Sequence, residues 1–148
     1  MGGNHNKSFD FLKEKMLTGE KHQSKATILL ATVKGDIHNI GKNIVKTIFL
    51  NHGYDIIDLG ANVDGQLIVE TAIEKGVDFV GLSSLMTTTL EEMSTVINLL
   101  NEKKYQGNTI IGGAVTSQDF ADEIGADIYA SDALDGVKKV NAFLAKVR

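Results

Sequence analysis

The sequence predicts an α/β fold in which helices flank a five-stranded parallel sheet. From residue 25 onward, short runs of β-branched and aliphatic residues alternate with longer stretches of helical periodicity, which is the pattern of repeated βαβ units. Each short run is apolar enough to be covered on both faces, as strands of a parallel sheet are. A chain of 148 residues with 43% hydrophobic content can bury one core, so we expect one such domain.

The expected strands and helices alternate along the chain. The strands are residues 27–33, 55–59, 79–83, 109–111 and 128–129. The helices are residues 41–51, 65–75, 90–103, 118–124 and 133–146. Ligands of open parallel sheets bind outside the carboxyl ends of the strands, where the strand order reverses. We therefore expect a site among the loops 34–40, 84–88 and 112–116.

Local signals mark the ends of several predicted helices. Asp64 stands where it can cap the second helix, and Gly53 and Gly76 come just after the first and second helices, as glycines that end helices do. Thr89-Leu90-Glu91-Glu92 has the T-x-x-E form of a capping box. Thr89 is therefore the expected N-cap of the third helix.

Residues 1–24 are expected to be separate from the domain of residues 25–148. They are mostly polar, but a few apolar residues are spaced to lie on one face of a short helix: Phe9, Leu12, Met16 and Leu17. We expect a short N-terminal helix followed by a linker.

Charge and composition argue against several functions. The net charge is −4 and the 15 Lys and Arg residues are scattered, so no nucleic-acid partner is expected. No apolar run approaches the roughly 20 residues that span a bilayer, and residues 1–15 lack the apolar stretch of a signal peptide. We therefore expect a cytoplasmic protein without a membrane partner. Because there is no cysteine, a metal would be bound through nitrogen or oxygen, or arrive inside a cofactor.

The loop after the first strand resembles a phosphate-binding loop only superficially. The spacing from Gly35 to Gly41-Lys42 is one residue too long for G-x-x-x-x-G-K-[ST]. Asn43 stands where that motif needs a Ser or Thr to bind magnesium. Nucleotide hydrolysis is therefore not supported.

Asp36 and His38 are the candidate reactive residues of this loop. Two residues apart, their side chains project the same way if the segment is extended. The pair suits a metal ligand whose second imidazole nitrogen donates its proton to the carboxylate. Two other interpretations stay open: His38 faces solvent while Asp36 caps the next helix, or Ser83, His38 and Asp36 form a hydrolase triad, although the usual G-x-S-x-G is missing.

Three segments, each at the predicted carboxyl end of a strand, match a known family in order. They reproduce its D-x-H-x-x-G, S-x-L and G-G motifs as Asp36-Ile37-His38-Asn39-Ile40-Gly41, Ser83-Ser84-Leu85 and Gly112-Gly113. The chain thus resembles the cobalamin (B12)-binding domain family over roughly residues 25–148. The surrounding residues are most similar to corrinoid proteins of methyltransferase systems and to the cobalamin domain of methionine synthase.

The resemblance implies a Rossmann-like, flavodoxin-like sheet and three residues with roles in the chemistry. His38 would be the metal ligand, replacing the dimethylbenzimidazole base below cobalt. Asp36 would hold the imidazole of His38. Thr89 matches a hydroxyl that hydrogen-bonds this aspartate in the methionine synthase relatives.

The resemblance also implies a slot against the sheet for the displaced nucleotide tail of the cofactor. Ser83 would contact the displaced base and Leu85 would line the slot, while Gly112 and Gly113 would leave room where any Cβ collides. The residues expected to bind the cofactor are Gly35, Asp36, Ile37, His38, Asn39, Ile40, Gly41, Ser83, Leu85, Thr87, Thr89, Gly112, Gly113 and Ala114.

The function that the resemblance implies is that of a carrier. It would bind cobalamin, as methylcobalamin or another corrinoid, base-off and His-on, and shuttle a methyl group between partner methyltransferases. The expected partners are a substrate-specific methyltransferase, a second one that methylates tetrahydrofolate or a thiol, and a reductive activase. The alternative is the small cobalamin-binding subunit of an adenosylcobalamin-dependent mutase, against which the run Thr87-Thr88-Thr89 favours methyl transfer.

One departure from the family concerns the amino-terminal side. Corrinoid carriers usually have a helical bundle ahead of this domain that covers the methyl-bearing face of the cofactor. Only the short helix of residues 9–17 is expected here. Either the chain is a fragment, or that face stays open until a partner covers it.

Overall fold

Strands and helices alternate through the computed structural model, which describes residues 24–147. The strands are β1 (Thr27–Val33), β2 (Asp55–Val63), β3 (Phe79–Ser83), β4 (Asn108–Gly112) and β5 (Ile128–Ala130). The helices are α1 (Ile40–Asn51), α2 (Gly65–Lys75), α3 (Leu90–Glu102), α4 (Gln118–Ile124) and α5 (Ala133–Val147), and a 3₁₀ turn over Thr87–Thr89 precedes α3. Within residues 24–147 none of the helices combines the length and apolar character needed to cross a membrane. The predicted helix of residues 9–17 lies outside the described residues.

The five strands form one parallel sheet in the order β2-β1-β3-β4-β5. This is the predicted Rossmann-like, flavodoxin-like architecture, and its strand order reverses between β1 and β3. The register places Thr32 beside Ser83 and Ser83 beside Gly112. These three residues therefore form a row across the carboxyl edge, where ligands of such sheets bind.

Both faces of the sheet are covered, because successive residues of each central strand point to opposite sides. Ile28 of β1 packs with Phe49 of α1 and Val137 of α5 on one face. Leu29 of β1 packs with residues of α2, α3 and α4, among them Met93, on the other. Continuous apolar runs are therefore required in the strands, which is the pattern that the sequence shows.

Most predicted boundaries agree with the structure within one or two residues, but β2 continues to Val63 rather than ending at residue 59. Its pairing with β1 shifts register on both sides of Ala31, and the backbone φ angles of Gly60 and Asn62 are positive, at 94° and 55°. Gly and Asn are disfavoured in strands. Because Gly60 and Asn62 are residues that strands disfavour, the sequence did not predict that β2 continues through them.

Two predicted residues stand at the N-cap positions of their helices, but neither side chain makes the capping hydrogen bond. Asp64 precedes α2 in an extended conformation, but its carboxylate does not cap the helix and lies instead 3.8 Å from Nζ of Lys34. Thr89 occupies the N-cap position of α3 without capping it, because its hydroxyl is hydrogen-bonded inside the domain. The predicted end of α2 is confirmed, since Gly76 adopts the left-handed conformation with φ 61°.

Candidate functional site

The loop after β1 begins with a tight turn that brings Asp36 back over the edge of the sheet. The N–H of Asp36 donates to the carbonyl of Val33 at 3.0 Å. Gly35, the third residue of this turn, has a φ of 89°, which L side chains rarely adopt. A Cβ at Gly35 would also lie 3.1 Å from Cγ2 of Thr89. Glycine is therefore favoured here by its conformation, and a larger residue would also require Thr89 to shift by a few tenths of an ångström.

The carboxylate of Asp36 is fully buried and accepts hydrogen bonds at both oxygens. Oδ1 accepts the backbone N–H of His38 at 3.0 Å and contacts its Nδ1 at 2.6 Å. Oδ2 accepts the N–H of Leu85 at 2.7 Å and the hydroxyl of Thr89 at 3.4 Å. Burial raises the pKa of Asp36, but the N–H groups of Leu85 and His38, followed by the imidazole, outweigh it and lower the pKa to about 2. The group is therefore a carboxylate at neutral pH.

The charge of Asp36 determines the tautomer of His38. Because a carboxylate can only accept, Nδ1 of His38 carries the proton in their 2.6 Å contact. Nε2 then holds a free lone pair and has no hydrogen-bond partner among residues 24–147. The His38 side chain is 48% exposed, so Nε2 can bind a metal brought to this edge. The predicted pairing of Asp36 with His38 is confirmed in its geometry, and Asp36 does not cap α1, whose N-cap is Asn39.

Thr89 and Ser84 extend the hydrogen bonds behind Asp36. Their hydroxyl oxygens are 2.6 Å apart, and both lie within hydrogen-bond distance of the Met86 carbonyl. Ser84 is fully buried and Thr89 nearly so. Sequence reasoning missed Ser84, for which the only signal was a second serine after Ser83.

A buried hydroxyl on β1 was also missed. Thr32 donates to the carbonyl of His38 at 3.2 Å and lies 2.8 Å from the hydroxyl of Ser83. A carbonyl cannot donate, so the proton of Thr32 goes to His38 and Ser83 donates to Thr32. Ser83 is thus paired with Thr32 and not with the imidazole, so the geometry gives no support to a hydrolase triad.

A cavity of about 430 Å³ opens beside His38, between α1 and α5 and over the carboxyl ends of β1, β3, β4 and β5. Its volume lies within the usual range for small-molecule sites. Seven of the predicted residues line it: His38, Gly41, Ser83, Leu85, Gly112, Gly113 and Ala114. Sequence reasoning missed the side of the cavity formed by α1, β5 and α5, which includes Ile44, Val45, Phe49, Tyr129, Ala133 and Gly136. The apolar face of α1 was a signal for it.

The other predicted residues lie around the cavity but do not line it. Ile37 and Ile40 are 76% and 78% exposed and place apolar side chains on the surface beside His38. Thr87 is exposed. Oδ1 of Asn39 is buried without a hydrogen-bond partner, a state that costs free energy unless a ligand or water satisfies it.

The paired glycines are explained first by contacts within the protein. Gly113 has a φ of 122°, and a Cβ there would lie 2.0 Å from the carbonyl oxygen of Ser84. A Cβ at Gly112 would lie 3.3 Å from the carbonyl oxygen of Ala130. That a Cβ at these positions would collide with a bound ligand stays a prediction. The collision of a Cβ at Gly113 with Ser84 needs no ligand and follows from the fold.

Lys42 has a structural partner instead of a phosphate. Its side chain is almost fully buried, and Nζ donates to Asp58 at 2.5 Å and to Asn43 at 3.0 Å. Burial raises the pKa of Asp58, but the hydrogen bonds from Lys42 and from the N–H of Gly60 lower it below its usual range. The lysine thus connects α1 to β2. This agrees with the conclusion from the sequence that the loop is not a phosphate-binding loop.

Comparisons with known proteins show which family has this arrangement. The family model described as the B12 binding domain matches residues 26–138. A corrinoid protein of Desulfitobacterium hafniense is 43% identical over 139 residues, which are 93% of this chain and 63% of the relative. A dimethylamine corrinoid protein of Methanosarcina acetivorans is 43% identical over 136 residues, which are 90% of this chain and 64% of the relative.

A solved structure agrees with these relatives. The methanol:cobalamin methyltransferase complex of Methanosarcina barkeri superimposes with a TM-score of 0.82 at 29% identity, covering 88% of this chain and 51% of that chain. The chain spans less than two thirds of the length of each of these three proteins.

Proposed function

The chain belongs to the B12-binding domain family, and from that premise we propose that it carries a corrinoid with His38 as the lower axial ligand of cobalt and passes a methyl group between partner methyltransferases. The observation that carries the proposal is the 2.6 Å contact of His38 with the buried Asp36 at the mouth of the cavity. It leaves one imidazole nitrogen free at the edge where ligands of this fold bind.

The residues present fit a corrinoid in three respects. Nε2 of His38 offers one nitrogen ligand with its tautomer set by Asp36, which is how metal-binding histidines are commonly oriented. The apolar cavity beside it has room for the displaced nucleotide tail of the cofactor. Exposed Ile37 and Ile40 offer an apolar surface to the flat macrocycle. When bound, the corrinoid supplies a cobalt centre that accepts and gives up a methyl group.

The protein's own residues would orient the ligand and hold its proton. Asp36 keeps the proton of His38 on Nδ1, and Leu85 and Thr89 keep Asp36 in place. Thr32 holds the carbonyl of His38 at 3.2 Å.

The relatives support methyl transfer and suggest the partners. They include dimethylamine corrinoid proteins and a methanol:cobalamin methyltransferase complex. We propose a substrate-specific methyltransferase and a second methyltransferase as partners, with a reductive activase to restore the active cofactor. No observation on the described residues favours the alternative of a mutase subunit.

The test is electron paramagnetic resonance of the protein loaded with cob(II)alamin, prepared with natural-abundance and with nitrogen-15 histidine. Triplet nitrogen couplings that become doublets on labelling are expected, together with their loss in His38→Ala. His52→Ala is the matched control, since the His52 ring bonds the carbonyl of Ile48 near the end of α1. A coupling pattern that ignores the label, or that survives in His38→Ala, contradicts the proposal.

A further inference from the structure

Asn62, near the end of β2, is bonded to the turn that carries Asp36. Its side-chain Oδ1 accepts the N–H of Gly35 at 2.8 Å. Its own N–H donates to the carbonyl of Asp36 at 2.9 Å. One residue from the neighbouring strand thus holds the backbone on both sides of Asp36.

The backbone of Asn62 is unusual and suits this task. Its φ of 55° is left-handed, and among residues 24–147 only one other non-glycine residue, Lys104, has a positive φ. Asn tolerates this conformation better than most residues. The pairing of β1 with β2 is irregular before this point and resumes with Val33 opposite Val63. Asn62 therefore leaves the regular ladder and bonds the turn instead.

The other supports of the turn act on different atoms. The N–H of Asp36 donates to the carbonyl of Val33, and the N–H of Leu85 holds the Asp36 carboxylate. The two Asn62 bonds are the ones that fix the backbone at Gly35 N–H and at the Asp36 carbonyl, where glycine makes the chain flexible. The N–H and the imidazole of His38 both bond Oδ1 of Asp36. A shift in the Asp36 backbone would therefore move the imidazole.

We propose that Asn62 is a positioning residue that holds the Asp36–His38 pair in the single orientation needed for cobalt ligation. The effect on cobalt ligation rests on the proposed function, but the orientation of the Asp36–His38 pair is present in the protein without cofactor. Asn62 acts through the turn: its bonds go to the backbone of Gly35 and Asp36, and it is not among the residues that line the cavity.

Three variants separate the side-chain acceptor from the backbone conformation. Asn62→Gly keeps a residue that adopts positive φ and keeps the N–H, but it removes the acceptor. Asn62→Asp keeps both the acceptor and the tolerance of the left-handed region. Lys104→Gly is the matched control, because it places glycine at a φ of 58° far from the site. Thermal unfolding of all three shows whether each variant folds.

The first measurement is nitrogen-15 NMR of the His38 imidazole in the protein without cofactor, assigned with His38→Ala. The wild type, Asn62→Asp and Lys104→Gly are expected to hold the proton on Nδ1. Asn62→Gly is expected to show a mixture of tautomers, because the contact with Asp36 is no longer held. The same tautomer population in Asn62→Gly and the wild type overturns the proposal.

The second measurement is the affinity for cob(II)alamin. In Asn62→Gly we expect a loss of about three- to tenfold, the size of one ordinary hydrogen bond, with rescue in Asn62→Asp. An altered tautomer with unchanged affinity also overturns the proposal, because positioning would then have no effect on ligation. If His38→Ala leaves cobalt ligation intact, the proposed function fails, while the NMR comparison still decides whether Asn62 holds the pair.

Discussion

The Asp36 carboxylate accepts hydrogen bonds from the backbone of Leu85, the backbone and ring of His38, and the hydroxyl of Thr89. Asp36→Asn keeps the size of the side chain but replaces one acceptor oxygen by an NH₂ group that faces a donor. We expect the free energy of unfolding to fall by about 1–3 kcal/mol, the cost of an unsatisfied buried polar group. Urea unfolding of the wild type and of Asp36→Asn at neutral pH measures this loss of unfolding free energy.

The control for this substitution is Asp64→Asn. The Asp64 side chain is 61% exposed and its ion pair with Lys34 is 3.8 Å long. Exposed pairs of this kind contribute about 1 kcal/mol or less, so a small change is expected. Equal losses for the two variants would contradict the special role of the buried carboxylate.

The depressed pKa of Asp36 also predicts how stability depends on pH. The pKa falls from 3.8 to about 2 in the folded state, so the charged group stabilises the fold. This contribution, about 2 kcal/mol at 1.36 kcal/mol per pKa unit, is complete well above pH 3.8 and is lost as the pH falls toward 2. The difference in unfolding free energy between the wild type and Asp36→Asn should therefore narrow from about pH 5 downward. A difference that stays constant over this range would show that Asp36 has an ordinary pKa.

At the scale of elements, the loop after β4 meets the loop after β3 where Gly113 faces Ser84. Gly113→Ala would place its Cβ 2.0 Å from the Ser84 carbonyl oxygen, at a φ of 122°. Such backbone strain costs about 1–3 kcal/mol before the collision is counted. We expect a loss of unfolding free energy of at least about 2 kcal/mol, measured by denaturant unfolding.

The matched control is Gly41→Ala, in the first turn of α1. A Cβ there meets no atom within 4 Å, and Gly41 has no positive φ. Alanine is favoured over glycine in helices by roughly 0.5–1 kcal/mol, so this variant should be as stable as the wild type or more stable. If Gly113→Ala is tolerated equally well, the two loops are not packed as described.

At the scale of the whole molecule, the strand order β2-β1-β3-β4-β5 brings the loops after β1, β3 and β4 together at one edge. A corrinoid bound there stabilises the fold by mass action, by about 2.7 kcal/mol at a concentration 100 times the dissociation constant. Cobinamide lacks the nucleotide tail, so under the proposed function it would leave the cavity of about 430 Å³ unfilled. At equal concentration we therefore expect it to raise the thermal midpoint less than cobalamin does. Equal shifts would mean that the tail does not enter the cavity.

Several features of the site could be predicted because their causes are local. Asp36 and His38 are two residues apart, so a local turn, which Gly35 permits, can bring their side chains together. The apolar runs of the strands show directly that both sheet faces are buried. The end of β2 was missed because Gly60 and Asn62 carry no local strand signal.

Thr89 illustrates where local signals fail. Its sequence context matches a capping box, but its hydroxyl bonds Asp36, which is 53 residues away in the chain. A buried carboxylate needs its donors more than a helix end that can be satisfied by water. Two other hydrogen bonds of the site also join residues that are far apart in the chain. Asn62 lies 27 residues from Gly35, and Thr32 lies 51 residues from Ser83.

The sequence alone thus determined the alternation of strands and helices and the parallel sheet, since both follow from periodicity. It offered the Asp36–His38 pair as a candidate from neighbours in the chain, and the family motif favoured that candidate. Only the tertiary structure decided that the N–H of Leu85 also holds Asp36, how α1, β5 and α5 close the cavity, and that Asn62 supports the turn. The physical reason is that hydrogen-bond partners and cavity walls depend on strand order and register, which bring together residues that no local pattern relates.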